Sequence, residues 1–421
     1  MTSIKSNPVD LKNLLALSTN LVTQIATQVV LLPVFLKFLS SDDYAQWLKV
    51  FNYTLICNLL DLGVVTALQN RASYFKHNNR SNEIVFHLLY TVQILICNYL
   101  IFIFATYVLL YNKLLGEFNF TLFLIFTVAS LIQSLSGLGE AESRMNQGAY
   151  RGLLFSNNLR ILEYTGTCLG IILFHNNLVA IAALGLSLKA IWFAVEIRMF
   201  SKFYNSLKLK ARPNIVAIKE LINDGSGFLI GRIAEWMSIG GITFLLSFKL
   251  ESKMLILFVV ARTFFRFGLQ ISSTISQVLG YQISNLWAQN RREKILLAIK
   301  SSRRTNLQLS ALISLLFLIL GKNLFQILTH HKMTLSFLTI LIGSIYFVIL
   351  SYNQNLRTFL YFQNQGMSAS IIFLVGSIIC LIGLCTPFLI ISLDRFFLWL
   401  ILIEVLIFLA TLVNLKSKFM Y

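Results

Sequence analysis

The sequence carries little charge for its length. Only 12% of its 421 residues are charged, whereas an ordinary soluble domain has about 25%. Acidic residues are the scarcest, with 17 Asp and Glu against 35 Lys and Arg, so the formal net charge is +18. On a soluble domain such an excess would indicate nucleic-acid binding. The longest stretches between apolar runs, about 201–222 and 284–304, are too short for such a domain, and nucleic acid is not an expected partner.

Catalytic and metal-binding motifs are missing as well. The sequence contains no Walker A motif, no HExxH and no GxSxG. His330 and His331 stand together without a nearby carboxylate, which argues against a metal site. The five cysteines lie inside apolar runs and form no CxxC, so neither a disulfide framework nor a zinc site is indicated. We therefore expect neither an enzyme nor a resident cofactor or metal.

Long apolar runs are what the sequence does have. Apolar residues make up 57% of the chain and the mean hydropathy is +0.73. Runs of about 20 such residues are long enough to cross a hydrocarbon core of about 30 Å. The first run follows Lys5 and Lys12 and shows no small-residue cleavage pattern, which predicts an uncleaved first span. We predict an all-α integral membrane protein with about twelve transmembrane helices, at 14–38, 44–69, 84–111, 118–138, 153–174, 178–199, 224–247, 254–281, 305–328, 333–352, 367–391 and 396–415.

The basic residues orient these spans. With a cytoplasmic N-terminus, 22 of the 35 basic residues, Arg357 among them, fall on cytoplasmic segments and 8 on outer ends. The positive-inside rule then predicts that both termini are cytoplasmic. Short similarities at an offset of about 210 residues, such as 73–84 with 284–295, indicate two related halves. We predict two six-helix lobes, 1–205 and 206–421, the second starting with a basic cytoplasmic linker over 206–222.

The eighth predicted span carries the clearest functional pattern. Arg262, Arg266, Gln270, Ser273 and Gln277 recur every three or four residues, which places them within an arc of roughly 80° on a helix. An unpaired charge at the bilayer centre costs about 2.5–3.5 kcal/mol, and this face has two cations and no acid of its own. Guanidinium groups match phosphate oxygens in a bidentate geometry. The pattern favours a cavity that receives an anion, although Glu235 of the preceding span could neutralise one of the two arginines.

Three more cations and several polar residues lie within the spans. Arg232 and Glu235, and likewise Arg160 and Glu163, are spaced to neutralise each other on one helix face, while Lys189 could pair with Glu196 or extend its amine toward the interface. Arg232 is also a candidate for the anion site. The first span has a polar stripe and Pro33 near its outer end, as a gate helix or a helix–helix seam would. Candidates for the gate or for ion coupling are Asn20, Gln24, Asp61, Glu163 and Glu235.

Residues 31–84 resemble the opening of the Wzx-type O-antigen and polysaccharide flippases of the MOP superfamily. Three features carry the resemblance: Pro33 in a polar first helix, the run Asp43-Tyr44-Ala45-Gln46-Trp47 where span two starts, and the triplet Asp61-Leu62-Gly63 followed by a basic turn. The spans, the two lobes and the basic linker extend it over essentially the whole chain.

The resemblance implies a MATE-like fold with a V-shaped central cavity that opens alternately to either side. It also implies an undecaprenyl-diphosphate-linked oligosaccharide as substrate, with the prenyl tail in membrane lipid and the protein in a bacterial cytoplasmic (inner) membrane. Glycan-assembly proteins such as a polymerase and a chain-length regulator are implied partners, and an H⁺ or Na⁺ gradient is the implied energy source. In this reading Arg262 and Arg266, with Arg232 and Gln270, hold the diphosphate.

Three other functions remain open at this stage. A MATE-type drug or organic-cation antiporter would share the architecture but would need an acidic cavity. A membrane glycan polymerase or transferase would need acid, base or nucleophile groups at an aqueous face. A non-transporting scaffold would have no use for guanidinium groups in the membrane.

Overall fold

The computed structural model describes residues 8–69, 81–115, 118–146, 149–175, 177–206, 215–288, 292–362, 366–386 and 392–419. These ranges are almost entirely helical and contain no strand. A helix suits a bilayer because it satisfies its own backbone hydrogen bonds where no water is present. Within the described ranges, eight helices are long and apolar enough to cross a membrane. The protein is therefore an all-helical, multi-pass membrane protein, while twelve spans and cytoplasmic termini remain predictions.

The chain divides into two compact units, Met1–Leu229 and Ile230–Tyr421. The predicted lobe boundary at 205/206 remains a prediction. In the first unit the helices are α1 (Pro8–Phe38), α2 (Ser41–Thr54), α3 (Ser81–Tyr111), α4 (Phe120–Asn146), α5 (Ala149–Phe174), α6 (Leu178–Ser206) and the first part of α7 (Ile215–Trp236). Helices α4, α5 and α6 all pack on one another, and α1 packs on α5.

The second predicted span is not one continuous helix. After α2 the chain forms a 3₁₀ segment, Leu55–Leu59, then a turn, and residues 64–69 are helical again. Leu62 and Gly63 adopt positive φ values of 51° and 73°, a conformation that interrupts a right-handed helix. The Asp61 carboxylate accepts a hydrogen bond of 3.0 Å from the Gly63 amide. The Asp61-Leu62-Gly63 triplet thus folds as a side-chain-stabilised break inside the span.

A close backbone contact explains why glycine stands at this break. A Cβ atom on Gly63 would lie 2.2 Å from the carbonyl oxygen of Gly225 in α7. The same holds in reverse, since a Cβ on Gly225 would lie 2.8 Å from the Leu62 carbonyl oxygen. This contact packs the first part of α7 against the break after α2.

The run 43–47, which also carries the resemblance, lies at the start of α2. The Ser40 hydroxyl caps the helix by accepting a hydrogen bond from the Asp43 amide at 3.1 Å, as N-cap serines do. Tyr44 and Trp47 are both buried and both pack on the ring of Phe35 in α1, with centroid distances of 5.1 Å. The run therefore begins a helix and attaches it to α1.

The second unit contains the end of α7 and a π-helical turn, Met237–Gly241. It continues with α8 (Ile242–Leu246), α9 (Ser252–Ala288), α10 (Arg292–Leu328), α11 (Phe337–Phe362), α12 (Gly366–Gly383) and α13 (Leu393–Phe419). Phe264 and Phe265 form the apolar side of α9 and are fully buried. Helix α11 packs on α9, α10, α12 and α13 and is thus the central helix of this unit.

Large apolar side chains remain exposed on single helix faces. On α3 the residues Leu100, Phe104 and Tyr107 are 54–69% exposed and lie three or four positions apart, on one side of the helix. Such a face is expected toward lipid, because hydrocarbon solvates it as well as protein does.

Candidate functional site

Arg262 of α9 lies inside the second unit with 5% of its surface exposed. Its Nη2 donates to the Ile239 carbonyl oxygen at 3.0 Å and to the Thr243 hydroxyl at 2.7 Å. Both acceptors belong to the π-helical turn and the helix after it, where the usual backbone ladder changes register. The guanidinium also stands over the Phe258 ring, 5.4 Å from its centroid, while Nη1 is buried with no hydrogen-bond partner among the described residues. Arg262 is thus fixed at one end and retains one unused donor group.

Arg266, one turn further along α9, is partly buried. In the described part of the chain it has neither a hydrogen bond nor an ion pair. Electrostatic interactions connect it to Arg262, to Glu404 and to Tyr346. Gln270 follows on the same face and is partly buried. The side chains of Ser273 and Gln277 lie outside the described ones, so the predicted stripe is seen over Arg262, Arg266 and Gln270.

A buried carboxylate from α13 interacts electrostatically with Arg266. Glu404 is 7% exposed and its Oε2 accepts from the Asn353 amide at 2.6 Å; the same amide donates to the Glu404 carbonyl oxygen at 2.7 Å. Arg357, one turn after Asn353 on α11, is also buried and interacts electrostatically with Glu404. Its guanidinium lies 3.7 Å from the Phe373 centroid and its Nε has no partner among the described residues. We call Arg262, Arg266, Arg357, Asn353 and Glu404 the second-unit charge cluster.

Sequence reasoning placed two members of this cluster, Asn353 and Arg357, outside the predicted spans. The predicted tenth span ended at 352, so Arg357 was assigned to a cytoplasmic segment. In the structure α11 continues to Phe362, and its apolar span runs over Phe337–Leu360. Asn353 and Arg357 are four residues apart, which places both on one helix face. This four-residue spacing, together with the acid Glu404 in the last predicted span, was the signal that the sequence offered.

Arg232 and Glu235 of α7 differ from each other in exposure. Arg232 is partly buried, whereas Glu235 is exposed. Neither of the arginines of α9 uses Glu235 as a partner: Arg262 takes backbone and hydroxyl oxygens instead, and Arg266 has no ion pair among the described residues. The pairing with Glu235 that the sequence left open is not formed among the described residues, and the buried carboxylate that interacts with Arg266 comes from α13.

The first unit holds a second group of membrane charges. Lys189 of α6 is 3% exposed and its Nζ contacts Glu163 Oε2 of α5 at 2.6 Å. Arg160 donates through Nη1 to the Asn20 side-chain oxygen of α1 at 3.4 Å. The structure decides between the pairings that the sequence left open: Glu163 pairs with Lys189 rather than Arg160, and Glu196 accepts from the Ser136 hydroxyl at 2.9 Å rather than from Lys189.

The small residues of α5 and α6 explain this choice of partners. A Cβ on Gly166 would lie 2.8 Å from the Cα atom of Gly185, so the two backbones touch there. Gly166 is one turn from Glu163, and Gly185 is one turn from Lys189. Close approach of small residues is how membrane helices pack, and here it brings an acid and a base from different helices together.

The remaining predicted residues fall in different places. Asn20 joins α1 to Arg160, as described above. The side chain of Gln24 lies outside the described ones. Asp61 is buried and stabilises the break after α2. No group of three or more His, Cys, Asp or Glu side chains that could hold a metal ion occurs among the described residues.

No known family model matches the sequence, and no curated protein matches it. Solved structures do match over nearly the whole chain. An inward-facing multidrug resistance MATE family transporter of the MOP superfamily has a TM-score of 0.76 at 10% identity, covering 97% of this chain and 98% of its own. The Vibrio cholerae MATE transporter VcmN in its bent form has a TM-score of 0.66 at 13% identity, covering 97% of both chains.

A third similar structure differs in its described chemistry. It is a MOP superfamily transporter from Pyrococcus furiosus, with a TM-score of 0.70 at 10% identity over 96% of this chain and 93% of its own. Its binding pocket is described as having reverse polarity, which suggests a different function for that protein. Identities this low establish the fold and not the substrate. The chain has the fold of MATE family transporters of the MOP superfamily.

Proposed function

We propose that this protein is a flippase that moves an undecaprenyl-diphosphate-linked oligosaccharide, such as an O-antigen or similar surface-polysaccharide repeat unit, across a bacterial cytoplasmic membrane by alternating access. One observation carries the proposal. Among the described residues, three guanidinium groups and a single carboxylate form an electrostatically connected group within the apolar helices of the second unit. Charges in a membrane are expensive and usually mark a substrate or ion path. A net positive group of this kind suits an anionic substrate.

Arg266 is the residue best suited to bind the diphosphate. Its guanidinium is partly buried and has no hydrogen-bond or ion-pair partner among the described residues, so its N–H groups are available to donate to a substrate. Arg262 supplies the neighbouring positive charge and one unused Nη1. A planar guanidinium binds phosphate oxygens in a bidentate manner and stays charged at any working pH. Gln270 and Arg232 are proposed to complete the binding surface.

The first unit is proposed to act as a gate and coupling region. Lys189 pairs with Glu163 there, and Asn20 links α1 to Arg160. Movement of α1 would therefore change a polar contact at a charged site. Gln24, Asp61 and Glu235 are the further proposed gate or coupling positions. The gradient would be one of H⁺ or Na⁺, and the partners would be the polymerase and chain-length regulator of glycan assembly.

A MATE-type antiporter for drugs or organic cations is the second candidate. The fold supports it equally, because similar structures are multidrug transporters. Such a substrate would be a cation and would gain from acidic groups. The excess of guanidinium over carboxylate in the second-unit charge cluster favours the anion.

Replacing Arg266 by Ala tests the proposal. The host gene is deleted, and lipid-linked glycans are extracted from strains that carry wild type, Arg266→Ala, Arg266→Lys or the exposed control Arg304→Ala. We expect complete lipid-linked repeat units to accumulate without the gene and with Arg266→Ala. Wild type and Arg304→Ala should relieve the accumulation, and Arg266→Lys should do so only in part, because an ammonium cannot bind in a bidentate manner.

The two candidates differ in a second measurement on the same strains. Normal surface glycan in the deletion strain, together with increased sensitivity to an organic cation such as ethidium, would replace the flippase by the antiporter. Full export by Arg266→Ala at wild-type protein levels would remove this residue from the site.

A further inference from the structure

Three buried polar atoms that have no hydrogen-bond partner among the described residues lie where α4, α5 and α6 meet. They are the Oε2 atom of Glu196, the Oε1 atom of Gln133 and the Nε1 atom of Trp192. Glu196 is 2% exposed and its other oxygen, Oε1, accepts from the Ser136 hydroxyl. Buried polar atoms are normally hydrogen-bonded, so three orphans in one place call for an explanation.

Contacts between the three helices bring these side chains to one locus. Gln133 and Ser136 are three residues apart on α4 and share a face. Gln133 Nε2 donates to the Ser156 hydroxyl of α5 at 2.9 Å. Trp192, one turn before Glu196 on α6, packs on Phe155, the neighbour of Ser156, with ring centroids 5.9 Å apart. Two of the three orphan atoms, Glu196 Oε2 and Gln133 Oε1, are oxygen acceptors.

No described cationic side chain forms an ion pair with Glu196. In the described part of the chain its side chain accepts one hydrogen bond, from the neutral Ser136 hydroxyl. The other charged side chains described on these helices are engaged or directed elsewhere: Lys189 with Glu163, Arg160 with Asn20, Arg151 with Tyr150, Glu140 with Gln69, and Arg198 exposed. A buried carboxylate left unpaired is costly and is relieved by a proton or a bound cation.

We propose that Glu196, Gln133 and Ser136 form a binding site for a small cation, a proton or Na⁺. Either ion would neutralise the carboxylate and satisfy both orphan oxygens at once: a proton on Oε2 would be donated to Gln133 Oε1, and Na⁺ would take both as ligands beside the Ser136 hydroxyl. Hard cations prefer such oxygen ligands. The site lies within the first unit and is separate from the second-unit charge cluster. It does not depend on which substrate the protein moves.

Infrared spectroscopy of the purified full-length protein in liposomes tests the site without any substrate. In Na⁺-free buffer we expect wild type to show one protonated-carboxyl C=O band more than Glu196→Gln, with an intensity that falls as the pH rises. The exposed carboxylate variant Glu251→Gln should keep that band. In Ser136→Ala the band should persist to higher pH, because the hydrogen bond that stabilises the charged form is gone.

A Na⁺ titration at fixed pH and ionic strength separates the two ions. Loss of the Glu196 band on adding Na⁺, with a change in Trp192 fluorescence that Trp192→Phe abolishes, would identify Na⁺; a band that responds to pH alone would identify the proton. Identical carboxyl spectra of wild type and Glu196→Gln at every pH, with no response to Na⁺, would overturn the proposal. Ordered water would then be the partner of the three polar atoms. Because no substrate is present, this outcome would not bear on the flippase.

Discussion

Lys189 illustrates how a membrane charge is tolerated at the scale of one residue. Its amine is almost fully buried, yet the Glu163 carboxylate lies 2.6 Å away and is 24% exposed at the side chain. Removing one partner of a buried ion pair leaves the other uncompensated, which is more harmful than removing both. Arg262 is accommodated differently, by a backbone carbonyl and a hydroxyl.

We therefore expect Lys189→Met to destabilise the protein more than the double variant Lys189→Met/Glu163→Gln. Breaking a buried pair from one side costs about 3–5 kcal/mol, and the partial exposure of Glu163 puts the effect at the lower end. Thermal unfolding in detergent, followed by tryptophan fluorescence, measures the order. Equal melting temperatures for the single and double variants would show that the pair contributes nothing.

At the scale of elements, the break after α2 interrupts the regular helix of the second predicted span. It combines two positive φ values with a backbone contact to α7 that leaves no room for a Cβ at Gly63. Discontinuous helices of transporters are tolerated where protein surrounds the freed backbone groups. Here the Asn98 amide donates to the Leu60 carbonyl oxygen at 2.7 Å, and the Tyr99 hydroxyl donates to that of Cys57 at 3.3 Å. The break is thus held from α3 as well as from α7.

Gly63→Ala tests this element. The left-handed conformation alone costs roughly 1–2 kcal/mol for a residue with a Cβ, and the 2.2 Å approach to the Gly225 oxygen adds a steric clash. We expect a lower melting temperature and a lower yield of folded protein. Gly241→Ala is the matched control, because a Cβ there meets no atom closer than 3.5 Å. Similar melting temperatures for the two variants would contradict the contact.

At the scale of the whole molecule, the membrane arrangement of the termini is open to a direct test. The excess of basic residues on one set of segments predicts that both termini and the linker over 206–222 are cytoplasmic. Alkaline phosphatase fused after 206–222 or at the C-terminus should be inactive, and green fluorescent protein at the same points should be fluorescent. Active phosphatase at either point would reverse the orientation or change the number of spans.

The sequence alone was sufficient for the properties that depend on local pattern. Apolar runs of span length predicted an all-helical, multi-pass membrane protein, and the resemblance of residues 31–84 led to the MATE-like fold that the solved structures support. The three- and four-residue spacing of Arg262, Arg266 and Gln270 placed them on one face of α9. Hydropathy and helical periodicity are set by neighbours along the chain, so they can be read without a structure.

Only the tertiary structure decided which charges meet. Glu163 pairs with Lys189 because glycines let α5 and α6 touch, and Glu404 joins the arginines because α13 packs on α11. The buried Arg357, the break at Gly63 and the orphan oxygens beside Glu196 likewise depend on contacts between helices far apart in sequence. The distances at which helices approach each other and the hydrogen-bond partners that they supply are properties of packing. The residue pattern of a single helix does not reveal them.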